Sequence, residues 1–468
     1  MQNLLDIVRA PADAIGPTAA LARRALAVHA SVLGPGTVQH AKQALLDLIG
    51  SAVRARAESS ISEAVYRAIA ALGCEGGFTA VGHGASFSPQ YAALLNGCNF
   101  HALDFDDTHE HASLHPGAPV VAAALAAGER IGASGARLVA AIVGGYDVAV
   151  RVGLALDPAA HYARGFHPTA TAGVFGATAA VALLHGDDAA TLESAFGINL
   201  SQASGSLQFS VDGAQTKPVQ VGFAAHDAVL ARELAAAGVR GPGAAFEGRS
   251  GLLHAYSDGA DARALVETWD GVHEIDRTAF KPYPCCRYMH AAIDQLVAIV
   301  RERAIDPASV ERIRVSLPAA GMRLCAYPEE RKRRPGSVVD AQFSMYYAAA
   351  AAIAWGGVRW NDFARRDAPE IAALIARVTV DEDPAVEALA PRMAALVELD
   401  AGTVHERRLV PSPRGEPDSP LDWEELIAKF DDLSGVAYDA QRRARIVDLV
   451  RRLDELDDVR TLTAELGA

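Results

Sequence analysis

Cysteine is scarce in this sequence: Cys74, Cys98, Cys285, Cys286 and Cys325 are the five thiols in 468 residues. No CxxC spacing suggests zinc, and the neighbours Cys285 and Cys286 are poorly placed for a disulfide. Reduced thiols in a cytoplasmic protein are therefore expected. Aromatic residues make up only 6% of the chain. Abundant alanine favours helices packed closely through small side chains. A basic surplus is also missing, the formal net charge being -14. That excludes a general nucleic-acid binder, and an anionic substrate would need a locally basic pocket. Alanine-rich runs such as Val120 to Ala127 meet charge before reaching the length of a membrane span. The opening residues Met1-Gln-Asn-Leu-Leu-Asp lack a basic region followed by an apolar core, so no signal peptide and no membrane partner are expected. At this length two domains are the default.

The densest chemistry lies in one stretch. His101, Asp104, Asp106, Asp107, His109, His111 and His115 fall within fifteen residues and are followed by Pro116. On a helix, Asp104 and Thr108 would share a face, and Pro116 would leave His115 where the helix gives way to a loop. A carboxylate, a hydroxyl and an imidazole at a helix end make an acid/base station. The same residues also suit a solvated turn with polar caps.

Residues 1 to 75 read as helices, with Ala41, Ala44, Leu45, Leu48 and Ile49 at helical spacing. Gly82 to Ser88 reads as a plain loop, since no Gly-Lys-Ser/Thr follows it. Apolar helices are expected again from Pro89 and from Pro119 to Gly153. Pro168 suits a first helical turn and puts His167 at the N-cap, where an anion can be met. Lys217, before Pro218, is isolated from other lysines back to Lys42.

From Asp276 the pattern changes. Strands are expected at Val310–Leu317 and Val378–Val380, with a hairpin over Ala394–Leu409. Helices fill His290–Arg303 and Ser337–Trp355, making an α/β unit. Of its two basic clusters, Lys281 to Arg287 and Arg331 to Arg334, the second reads as a solvated loop. Pro411–Pro420 is turn-rich, and helices resume from Asp422 to Leu466.

Taken together, Leu103-Asp-Phe-Asp-Asp-Thr108, His115-Pro-Gly-Ala-Pro119, Gly165-Phe-His-Pro-Thr169, Ser201-Gln-Ala-Ser-Gly205, Asp212-Gly with Lys217, Glu247-Gly248, Lys281-Pro-Tyr-Pro-Cys285 with His290, and Asp340-Ala-Gln-Phe-Ser344 resemble the MmgE/PrpD family over nearly the whole chain. The resemblance implies a mainly α fold with an α+β lid. A large all-helical domain would be formed by both chain ends (1–275 and 412–468), with an α/β lid domain (276–411) inserted and the active site between them. It also implies a cofactor-independent enzyme, usually a homodimer, that moves a proton beside a carboxylate of a small di- or tricarboxylic acid. The implied site comprises Asp104, Thr108, His115, His167, Lys217, Lys281 and His290, with Tyr327 as a lid tyrosine. His115 would be the main acid/base, although His109 and His111 compete because the interval from Thr108 to His115 is about one residue longer than in the decarboxylases. His167 would be a second acid/base or a substrate binder, and Asp104 would orient a histidine. Lys217, Lys281 and Arg287 would supply charge for substrate carboxylates.

A 2-methylcitrate dehydratase-like hydro-lyase leads, with an iminodisuccinate-type epimerase or a cis-aconitate-type decarboxylase as alternatives. From other classes stand a non-catalytic helical scaffold and a metal enzyme built on Asp104, Asp107, His109, His111 and His115. His109 and His111 would diverge on a helix and no HExxH is present, so no metal is expected.

Overall fold

A computed structural model of the chain describes residues 15–267, 270–390 and 392–467. The opening hexapeptide considered above lies outside the described residues. The protein is mainly helical, with two small sheets among the described residues. It divides into two compact units, Met1–Thr278 with Asp422–Ala468, and Ala279–Leu421.

The first unit begins with α1 (Pro17–Leu26), α2 (Pro35–Glu58) and α3 (Ser60–Ala71). Proline opens α1 and α2, where its missing N–H would have no helical partner and its fixed φ already suits the turn. The expected loop over Gly82–Ser88 is part of a hairpin instead. β1 (Glu75–Thr79) pairs with β2 (Ser86–Phe87) across it, and Phe87 is buried. Two residues are too short a strand to show alternation, which is why the pattern missed it.

Next come α4 (Pro89–His101), α5 (Gly117–Ile131), α6 (Gly135–Ala155), α7 (Pro168–Thr171), α8 (Gly173–His185), α9 (Ala189–Leu200) and α10 (Thr216–Ala236). Helix α6 and the stretch Pro168–His185 are long and apolar enough to cross a membrane, but 94% and 89% of those windows are buried inside the protein. They are core helices, apolar on all sides because neighbours cover all sides. Their close crossing depends on glycine. A Cβ on Gly176 would lie 2.5 Å from the Gly145 carbonyl oxygen and 2.6 Å from the Ala149 Cβ. Gly176→Ala is therefore expected to lower the unfolding free energy by about 1–3 kcal/mol, read as a lower urea midpoint. Gly36→Ala, where a Cβ meets nothing within 4 Å, is the comparison and should not destabilise.

The second unit carries α11 (His290–Glu302), β3 (Val310–Ser316), α12 (Met345–Trp355), β4 (Val378–Asp381), β5 (Ala395–Ala401) and β6 (Val404–Val410). The sheet order is β4-β3-β5-β6. β3 runs parallel to β4 and antiparallel to β5, while β5 and β6 form a hairpin closing at Ala401 and Val404. Ile293, Leu296 and Ile299 of α11 join Ile313, Val315, Val397 and Leu399 in one core. Two expectations are corrected here. The helix expected over Ser337–Trp355 is broken, with Val338–Gln342 ending before Ser344 caps α12 by accepting from the Tyr347 N–H. Glu329–Arg333 is a short helix rather than a loop, its Arg331 reaching Asp340 at 2.8 Å.

The chain then returns to the first unit with α13 (Trp423–Ser434) and α14 (Ala440–Arg451). Lys429 of α13 is 2.6 Å from Asp47 of α2 and donates to the Phe105 carbonyl at 2.8 Å. The C-terminal segment thereby braces the loop that carries the acidic stretch.

Candidate active site

Helix α4 stops at His101, not beyond Thr108 as its sequence suggested. The Asp104 N–H donates to the His101 carbonyl at 3.2 Å, and Asp104 takes a left-handed φ of 53°. Aspartate tolerates that conformation better than most residues, and it turns the chain out of the helix. The loop closes through a bridge between His109 and Leu114 before α5 begins at Gly117. Asp104 and Thr108 thus share no helical face.

The loop sorts its carboxylates by environment. Asp104 is mostly buried and receives the Lys217 ammonium at 2.6 Å. Burial works against the Lys217 charge, but Asp104 outweighs it and raises the lysine above its ordinary range. Asp106 is fully buried, with one oxygen 2.7 Å from His101 Nδ1 and the other 3.4 Å from His115 Nδ1. Burial alone would raise Asp106, but His101 and His115 outweigh it and hold the carboxyl well below its usual range. Asp107 behaves in the opposite way. Burial and the neighbouring Asp106 push it well above the usual range, while it accepts from the Gly117 N–H at 3.2 Å. A Cβ on Gly117 would fall 2.4 Å from both that oxygen and the Tyr146 hydroxyl, so only glycine fits there.

Three imidazoles meet at this point. The His101 ring lies edge-on to His115 at 4.7 Å and stacks on His167 at 5.8 Å. His115 is anchored by its N–H to Thr169 Oγ1 at 3.1 Å, and its Nε2 is 4.0 Å from Asp104 Oδ1. His167 is the N-cap residue of α7, as its sequence suggested, and its Nδ1 is 3.0 Å from Gln220 Oε1. The Gln220 amide is oriented by its own bond to the Ser206 carbonyl, so the Gln220 oxygen accepts and His167 carries its proton on Nδ1. Burial, with help from His101 and Lys217, keeps His167 well below its ordinary range and hence neutral. Burial likewise brings His101 down to about 4 against the pull of Asp106.

The cluster has an accessible side and a closed back. The side chains of Asp104, His115 and Lys217 retain 11%, 15% and 21% exposure, whereas those of His101 and Asp106 retain none. Buried Thr108 Oγ1 has no hydrogen-bond partner among the described residues. A partly exposed edge with one ammonium, one carboxylate and an imidazole suits acid/base chemistry on an anion.

The rival histidines go elsewhere. His109 is buried 3.3 Å from Glu274, which also holds buried Arg151 at 2.8 Å, and His111 is exposed. The five-residue metal grouping read from the sequence is therefore dispersed. Among the described residues, His101, Asp106 and His115 are the grouping compact enough for a metal ion, with donor atoms within 4.8 Å of one another.

Lys281, Arg287, His290 and Tyr327 belong to the second unit. Lys281 is buried and Tyr327 is half exposed. Arg287, expected to meet a substrate carboxylate, is buried with its Nε and Nη2 on Glu416 at 3.0 and 2.8 Å. Its charge is already met by a residue from the turn-rich segment 411–420. His290 is also engaged at both ring nitrogens, by Arg287 at 3.0 Å and by the Cys285 carbonyl at 3.1 Å. Both residues tie their own loop together.

Sequence reasoning passed over His101, Asp106 and Gln220 as site residues. Gln220 sits three residues after Lys217 on α10, a spacing that puts the two on neighbouring faces and was available as a signal. The His101–Asp106 pair carried no such signal, because the helix ends at the first of them.

The chain is similar to known proteins over most of its length. A profile of the MmgE/PrpD N-terminal domain matches residues 19–265, and one of the MmgE/PrpD C-terminal domain matches residues 283–455. A cis-aconitate decarboxylase-like protein of Aspergillus oryzae is 29% identical over 460 residues, covering 91% of this chain and 92% of the relative. The cis-aconitate decarboxylase of Aspergillus terreus is 28% identical over 452 residues, covering 91% and 90%. The human cis-aconitate decarboxylase is 25% identical over 394 residues, covering 81% and 79%.

Proposed function

Because the chain belongs to the MmgE/PrpD family, we propose that it is a lyase that decarboxylates an unsaturated tricarboxylic acid of the cis-aconitate type. The observation that carries this reading is the partly open edge where Lys217, Asp104 and His115 meet. The relatives named above, aligned over most of their length, carry the name of cis-aconitate decarboxylase, which is the reason decarboxylation is placed first.

Loss of carbon dioxide from a carboxymethyl arm leaves an electron pair that moves through the adjacent double bond. The double bond shifts, and the carbon next to a retained carboxylate takes up one proton. Lys217 offsets the negative charge of that carboxylate, and the unpartnered Thr108 hydroxyl supplies a donor. His115 delivers the proton from Nε2, the nitrogen nearer Asp104. His167 stays neutral and offers an acceptor nitrogen. No cofactor enters this scheme. A hydro-lyase is the second reading, since an imidazole flanked by two carboxylates also supplies the acid that a leaving hydroxyl needs.

The test is proton NMR of the purified enzyme in deuterated water, with cis-aconitate, methylcitrate and iminodisuccinate offered separately. Carbon dioxide release from cis-aconitate, with one deuterium placed beside a carboxylate, is the expected result. Water loss from methylcitrate alone would replace the decarboxylase with the hydro-lyase. Deuterium exchange into iminodisuccinate alone would replace both with an epimerase.

A further inference from the structure

We propose that Asp106, backed by His101, is the positioning residue that fixes which nitrogen of His115 carries the exchangeable proton. This inference rests on the reading of His115 as the proton donor. Asp106 is completely buried, and an ionised carboxylate only accepts hydrogen bonds. Its two oxygens face two imidazole nitrogens, His101 Nδ1 at 2.7 Å and His115 Nδ1 at 3.4 Å. The first is a hydrogen bond. The second falls short of one, but neither Asp106 Oδ1 nor His115 Nδ1 has another partner among the described residues. A lone pair on that nitrogen would repel the buried carboxylate, so both nitrogens are assigned N–H. The longer contact is what an acid/base pair shows before substrate arrives.

With Nδ1 committed, His115 is left with Nε2 as the nitrogen that gains and loses a proton. Nε2 is the one on the side of Asp104 and Lys217. The ring is indexed from three directions: the edge of His101 at 4.7 Å, Asp106 behind it, and the Thr169 hydroxyl on its backbone N–H. Thr169 lies in α7, the helix capped by His167, so one short helix registers both imidazoles. Asp104, expected from the sequence to orient a histidine, is the more distant of the two carboxylates. Its Oδ1 is held by Lys217 at 2.6 Å and stands 4.0 Å from His115.

Asp106→Asn tests the assignment. The amide oxygen would satisfy His101 Nδ1–H, which turns the NH2 toward His115 Nδ1 and forces that nitrogen to accept. The proton would then sit on Nε2, the wrong tautomer for the cycle. An amide placed behind a catalytic imidazole in this way has cost about 10⁴ in rate in a hydrolase triad. Here kcat is expected to fall at least about 100-fold with KM within about 3-fold.

The deciding measurement is ¹⁵N NMR of histidine-labelled, ligand-free protein at about pH 8.5, where imidazoles are neutral. The His115 resonances should report Nδ1–H in the wild type and Nε2–H in Asp106→Asn. A wild type with the proton on Nε2 overturns the proposal without any variant, so a variant that fails to fold does not shelter it. A folded Asp106→Asn protein with an unchanged His115 tautomer also overturns it. Because the spectra need no substrate, failure of the decarboxylase reading is recognised separately, by the absence of turnover.

Discussion

His115→Asn is expected to lower kcat by about 10³, within the range that a positioned proton donor contributes. His115 is the one imidazole of the three in the cluster whose side chain keeps contact with both buried Asp106 and the accessible Asp104. His101 lies behind it with no exposure, and His167 is held neutral by burial and by the cations near it. Asparagine preserves polarity and approximate size, so the fold should tolerate it. The rival histidines supply the controls. His111→Ala, on the surface, should leave the rate unchanged. His109→Gln loosens the buried contact to Glu274 and should lower stability more than kcat. Steady-state kinetics with the substrate that the NMR assay identifies, alongside urea unfolding, separate these effects. Full activity in His115→Asn with its loss in His109→Gln would reassign the proton donor.

Acidification should destabilise the helical unit, with His83 as a traceable contributor. His83 is only 3% exposed, and burial, aided by nearby Arg56, lowers it to about 3 from an ordinary 6.5. The unfolded chain binds this proton first. Its contribution to stability is complete above pH 6.5 and is lost as the pH falls toward about 3. Each unit crossed is worth about 1.4 kcal/mol, so between pH 7 and about 4.5 this group alone removes about 2.5 kcal/mol. His101 and His167 act with the same sign, both being lowered chiefly by burial. Asp107 and Asp147, raised chiefly by burial, act with the opposite sign and reduce the total. A comparison with His83→Gln isolates one histidine. Glutamine retains a polar group near Asn99, which stands 3.2 Å from the His83 ring. The stability gap between wild type and variant should narrow by about 2.5 kcal/mol from pH 7 to about 4.5. Parallel pH profiles from urea unfolding would show that His83 is protonated alike in both states.

The amino-acid pattern alone determined the mainly helical character, because apolar residues at helical spacing recur from Ala41 to Val148 and bury as that period requires. It also located the strands of the second unit, since Ile313, Val315 and Leu317 alternate and the hairpin lies within one short segment. Proline and its neighbours placed His167 at a helix start, again a local effect. The motifs identified the family, and with it Asp104, His115, His167 and Lys217, which the fold does bring together.

The tertiary structure decided the rest. Asp104 leaves the helix because the chain turns left-handed there, and helical periodicity carries no mark of a single unusual φ. His109 and His115 look equivalent along the chain, yet one faces Glu274 and the other Asp106. Arg287 reads as a free cation until Glu416, 129 positions away, neutralises it. Lys429 reaches the Phe105 carbonyl across 324 positions to brace the loop on which these roles depend. Local pattern fixes which backbone conformation a segment prefers. Whether a charged side chain is accessible to a substrate depends on partners that only folding brings within a few ångströms, because burial without such partners is too costly to persist.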